Sequence, residues 1–123
     1  MSTGYTGWEL PDDERARLLA LFPQRYELLV AHHVTLDIGV PFGHPLPYPV
    51  AAEVIATVDD ESGVQALIVA LNGSTDRPDG STFHITWSLA PGRQPVESNT
   101  AIREFGWRPV EPTPIHLIPR FFT

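Results

Sequence analysis

The chain has 123 residues, with 15 acidic and 8 basic side chains and a formal net charge of −7; every basic residue is arginine. An acidic chain without lysine is ill suited to neutralising a long run of phosphates, or to docking on an anionic lipid surface through a polybasic patch. The lack of cysteine excludes a disulfide framework, a thiolate zinc site and a cysteine nucleophile, and no apolar run approaches the ~18 residues of a membrane-spanning helix. Residues 1–14 are polar and acidic, unlike a secretory signal, so Asn72-Gly73-Ser74 reads as a turn and not as a glycan acceptor. A hydrophobic content of 42% supplies the core of one modest domain over residues 1–123. The expectation is a soluble, cytoplasmic, single-domain protein.

In chain order, residues 11–22 predict a helix. Pro11 suits its first position, Asp12, Asp13 and Glu14 favour the positive end of the dipole, and Leu18, Leu19, Leu21 and Phe22 supply an apolar side before Pro23 stops it. Residues 28–38 read as a strand, and the proline- and glycine-rich 39–49 as an ordered irregular loop. A hairpin follows, from 51–59 through a turn at 59–63 into 64–71. The last, VQALIVAL, is apolar throughout, as in a central strand covered on both faces. A turn-rich loop at 72–80, a strand at 81–89, a helix at 95–105 ending on Gly106, and a short closing strand at 115–118 complete an α+β domain with two helices and antiparallel or mixed strands. Ser98 and Asn99 read as caps of the second helix.

Two of these strands share a polar pattern. Alternate strand residues lie on one face, so Ala31, His33, Thr35 and Asp37 fall together, opposite His32, Val34, Leu36 and Ile38. In the later strand Thr82, His84, Thr86 and Ser88 fall together, opposite the apolar Phe83, Ile85, Trp87 and Leu89. Each strand therefore offers a histidine and, two residues on, a threonine from the same side. With five histidines and ten threonines, two such pairs arise by chance in roughly 6% of arrangements. A solvated strand face explains either pair alone; the two together, as His33-Val34-Thr35-Leu36 and His84-Ile85-Thr86-Trp87, point to chemistry. Two imidazoles facing one cavity can activate a water and protonate a leaving oxygen. The threonine hydroxyls can hold the non-bridging oxygens of a phosphate between them.

The doubled His-x-Thr pattern resembles the 2H phosphoesterase superfamily, which includes 2′-5′ RNA ligase-like proteins and cyclic nucleotide phosphodiesterases. AHHVTL at 31–36 and DGSTFHITWSL at 79–89, followed by Ser98-Asn99, are similar to its small "Swiss army knife" RNA repair-like members. The resemblance implies a compact pseudo-symmetric sheet fold whose two motif strands line one cleft. It also implies metal-free action on 2′,3′-cyclic phosphate ends or on 2′-5′ or cyclic nucleotide linkages. Carried over by position, His33 and His84 are the acid/base pair and Thr35 and Thr86 the phosphate holders. The span between the two histidines is short beside the larger members of the superfamily, which favours a small nucleotide or an RNA terminus as partner over long nucleic acid.

Arg77 and Arg93 flank the second motif strand and are candidate phosphate-binding groups; the alternative is a solvated arginine beside Asp76 and Asp79. Phe42 and Tyr48, on the loop after the first motif, are candidates for stacking on a base, or they pin that loop to the domain. His32 reads as a core histidine, and Tyr5, Trp8, Trp87 and Trp107 as packing groups. His33, His44, His84 and His116 lack HxH or HExxH spacing, so no metal and no cofactor are expected. Two further readings stand beside the enzyme: a non-catalytic nucleotide- or RNA-end-binding domain of the same fold, and a metal-dependent hydrolase.

Overall fold

The computed structural model describes residues 3–123; residues 1 and 2, the beginning of the polar segment read as unlike a secretory signal, lie outside the described residues. Strand β1 (Thr3–Glu9) is followed by helix α1 (Asp12–Leu21) and strands β2 (Leu28–Leu29), β3 (His33–Pro41), β4 (Ala52–Asp59), β5 (Val64–Leu71) and β6 (His84–Leu89). Helix α2 (Glu97–Phe105) then leads to β7 (Arg108–Ile115) and β8 (Ile118–Phe122). The strands pair antiparallel in two sheets, ordered β3-β1-β8 and β2-β6-β5-β4-β7. The chain is an α+β protein.

One apolar cluster joins the sheets: Trp8 and Val34 from the small sheet meet Val54, Leu67, Val69, Ile85 and Trp87 from the large one, with Leu18 of α1 at the side. A second cluster covers the outer face of the large sheet, where Ala101 and Ile102 of α2 pack on Ala56, Val58, Ala66 and Ile68. β5 contributes to both, which is why VQALIVAL carries no polar alternation. The β4–β5 turn is closed by Asp60, whose Oδ1 accepts the backbone N–H groups of Ser62, Gly63 and Val64.

The structure departs from the expected elements in four places. First, β1 is a central strand in a segment that had been read only as polar. Its glycines allow the crowding: a Cβ on Gly4 would lie 2.0 Å from the Phe122 carbonyl oxygen, and one on Gly7 2.0 Å from that of Val34. Second, the expected strand at 28–38 is two strands in two sheets. Residues 28–31 run beside β6, with the Val30 and Ala31 amides bonded to Trp87 and Thr86. The chain then turns at Ala31, whose φ is +44°, and continues as β3 against β1. Third, the expected closing strand at 115–118 is the joint between β7 and β8. β7 holds Pro109, Pro112 and Pro114 because it is an edge strand. Fourth, Ser98 and Asn99 do not cap α2: its N-cap is Val96, without a side-chain bond.

Irregularities in pairing also change which residues share a face. Between β1 and β3, Leu36 is passed over, because Thr6 pairs with Asp37 and Gly7 with Thr35. That bulge moves Ile38 to the side of Thr35. Between β5 and β6, Trp87 is passed over in the same way, and Leu89 joins the cluster under α2 in place of the one containing Phe83 and Trp87.

Candidate active site

The corner at Ala31 sets the first motif beside the second. The chain leaves the large sheet beside β6 and continues as β3 of the small one, so His33 and Thr35 line the same cleft as His84 and Thr86. The cleft holds about 290 Å³, with Arg77 and Asn99 as further polar groups and Tyr5, Val30, Ile38, Pro95 and Val96 as apolar walls.

His84 is held by a 2.8 Å contact from Nδ1 to the Thr82 carbonyl. A carbonyl only accepts, so Nδ1 carries the proton and Nε2 of the neutral ring keeps its lone pair. Burial, followed by the neighbouring positive charge of Arg77, lowers its pKa against the opposing pull of the carbonyl bond. His33 lies under two rings, with Tyr5 and Phe122 centroids 5.2 and 5.0 Å from its own. Burial, and then repulsion from His32 and His84, lowers its pKa to about 4. Both imidazoles are therefore neutral at pH 7 in the free protein.

Arg77 supplies the fixed charge. Its side chain is buried, and its Nε bonds both oxygens of Asp79 at 3.1 and 3.2 Å. The guanidinium and two bonds from Ser81 hold the Asp79 carboxyl far below the usual carboxylate range. Asp79 thus fixes the fork while leaving a buried cation on the cleft wall. Thr86 is buried as well, and its hydroxyl lies 2.8 Å from Ser98 Oγ and 3.3 Å from the Pro95 carbonyl. These contacts tie β6 to the start of α2. Asn99 donates from Nδ2 to the Val96 carbonyl, and its Oδ1 is buried without a hydrogen-bond partner among the described residues.

Three expected binding residues lie elsewhere. Arg93 does not line the cleft. It bonds Asp60 and Glu97 at 2.8 Å each and the Ser62 carbonyl at 3.0 Å, bracing the β4–β5 turn against α2. Phe42 and Tyr48 are 81% and 88% exposed and outside the cleft lining; Phe42 meets Phe121 edge-on, and only the backbone of Tyr48 is engaged, by the Trp8 indole N–H. His32 is not a core histidine: its side chain is 45% exposed and its Nδ1 lies 3.0 Å from that of His33. Trp107 is 42% exposed, while Tyr5 is a cleft wall.

Compared with protein-family models, curated proteins and solved structures, the chain matches none. Among the described residues no group of three or more His, Cys, Asp or Glu is arranged to hold a metal ion, and no helix is long and apolar enough to cross a membrane. The cleft brings together two neutral imidazoles, Thr35 and Thr86, and one buried guanidinium.

Proposed function

We propose that the protein is a cytoplasmic, metal-independent phosphoesterase of the 2H type, acting on a 2′,3′-cyclic phosphate or on a 2′-5′ or cyclic nucleotide linkage. The observation that carries this reading is the convergence of both His-x-Thr pairs and Arg77 on one cleft. A phosphodiester has two features to satisfy: a charged pair of non-bridging oxygens and two in-line oxygens that exchange protons. Arg77 and the two threonines suit the first, and two histidines on opposite strands suit the second. Anion binding favours protonated imidazole, so one histidine is charged as the substrate docks while the other remains a base.

Alanine at His33 or at His84 is expected to lower kcat by at least ~10²-fold, the usual contribution of one general acid or base, with an unchanged circular dichroism spectrum. The pH–rate profile should be bell-shaped, and EDTA should leave it unaltered. Full activity of either variant would overturn the assignment. Restoration of chelated enzyme by zinc or manganese would favour a metal-dependent hydrolase. Tight binding of a 2′,3′-cyclic nucleotide with no product over hours would favour a binding domain.

A further inference from the structure

His33 has a neighbour that His84 lacks. Behind its ring, Nδ1 of His32 lies 3.0 Å from Nδ1 of His33, and Nε2 of His32 lies 4.0 Å from Oε2 of Glu9. His32 is half exposed and His33 faces the cleft, so the pair runs from the solvent side to the site. Its surroundings are mixed: Arg120 of β8 bonds Glu9 at 3.3 Å, Arg15 of α1 donates to the Ala31 carbonyl, and Tyr5, His84 and Arg77 line the cleft beside His33. Two nitrogens at this distance share one proton. With the pair neutral and the His32 Nε2–H turned to Glu9, Nδ1 of His33 donates and its Nε2 lone pair faces the cleft. With one more proton on the pair, Nδ1 of His32 donates and Nε2–H of His33 faces the cleft.

We propose that His32, backed by Glu9, is a positioning residue that carries the positive charge for His33, which makes His33 the general acid and His84 the general base of the phosphoester reaction. The role assignment rests on the phosphoesterase reading. A proton entering at Nε2 of His33 displaces the one on Nδ1 to His32, and the charge moves out of the apolar pocket to the half-exposed ring near a carboxylate. In the reaction, Nε2 of His33 gives its proton to the departing ribose oxygen as the P–O bond breaks, and Nδ1 takes the proton donated by His32. The attacking water loses a proton to Nε2 of His84 while its oxygen bonds phosphorus. The charge thus passes from His32 to His84, which later releases its proton to solvent. His84 cannot act as the acid in this way, because the Thr82 carbonyl behind it has no proton to give.

Long-range nitrogen NMR on the ¹⁵N-histidine protein tests the pair without any turnover. In the singly charged pair, His32 is expected to carry protons on both nitrogens and His33 on Nε2 alone. A His33 that keeps its Nδ1 proton at every pH, or that carries the charge itself, overturns the proposal. Kinetics test the consequence. In His32→Asn an amide N–H stands where Nδ1–H stood, so His33 remains oriented but receives no proton. We expect kcat about 10²-fold lower, near the contribution of a general acid, with little change in KM and the basic limb moved to lower pH. Imidazole added to His32→Ala should restore part of the rate. A wild-type kcat and pH profile in His32→Asn overturns the relay. If the wild-type protein turns over no phosphoester, the phosphoesterase reading fails, and the NMR arm still decides the pair.

Discussion

Arg77 and Arg93 stand on either side of the second motif strand in sequence, and chemistry alone does not separate them. Their partners do. Arg77 is buried on the cleft wall with its Nε on Asp79; Arg93 spends its guanidinium on Asp60, Glu97 and Ser62. Arg77→Met is therefore expected to raise KM for a phosphoester about tenfold or more, since a charge-assisted bond contributes ~1.5–3 kcal/mol. Arg93→Met should leave kcat and KM alone and lower the urea midpoint, because it strips a partner from the nearly buried Asp60 carboxylate. The reverse pattern in steady-state kinetics and urea melts would contradict this division. Thr86 lies between these cases. Its hydroxyl is committed to Ser98, so Thr86→Val should cost ~1–3 kcal/mol for the buried Ser98 hydroxyl it leaves unpaired, as well as weakening phosphate binding.

The histidines also write themselves into stability. The pKa values of His33 and His84 are lower in the folded protein than in the unfolded chain, so folding is opposed wherever the unfolded chain binds the extra protons. Their contribution is fully present above the ordinary imidazole pKa of 6.5 and is lost as pH falls from there toward about 4. The carboxylates of Glu14 and Asp79, lowered by Arg17 and Arg77, act the same way, but their contribution is lost only as pH falls through the carboxylate range. Urea midpoints measured from pH 7.5 to 4.5 should decline in the wild type and decline less in His33→Asn. Parallel curves would show that His33 is not shifted.

Among the elements, legibility followed side-chain pattern and failed where backbone proximity ruled. The central hairpin and the two motif strands show in side-chain alternation and apolar runs, as do the positions of His33, Thr35, His84 and Thr86, while the helices show in their end signals, Pro11 and Pro23 for α1 and Gly106 for α2. β1 does not show, because Gly4 and Gly7 serve close approach between strands, and a glycine in a polar stretch otherwise reads as a turn. β7 is hidden by prolines that an edge strand tolerates. Ile38 enters the cleft only through a bulge at Leu36, which no residue pattern announces. Tyr5 enters from the unforeseen β1, and Asn99 enters because α2 begins at Glu97, earlier than a cap at Ser98 or Asn99 would start it. Gly7→Ala tests the element that was hidden. A methyl 2.0 Å from a carbonyl oxygen must push β1 from β3, so a thermal melt should show a fall of several degrees. An unchanged melting temperature would mean that the strands have room to separate.

For the molecule as a whole, the proposed function makes charge the selector of substrate length. A local guanidinium and two titratable rings sit within a chain of net charge −7. One terminal phosphate gains from the former, and every further phosphate meets the latter. Under the proposed function, kcat/KM for a 2′,3′-cyclic mononucleotide should equal or exceed that for a long RNA with the same end, and the gap should narrow as salt rises. A long RNA preferred at low salt would contradict this.

The corner at Ala31 has a mechanical consequence. One histidine rides on the small sheet and the other on the large one, and the shared apolar core sets the distance between them. Warming that loosens this core without melting either sheet separates His33 from His84, under the proposed function the acid from the base. Catalysis should consequently fail at a lower temperature than secondary structure, and small-to-large changes at Val34 or Val69 should retune the rate from a distance, like a gauge whose jaws are set by the hinge.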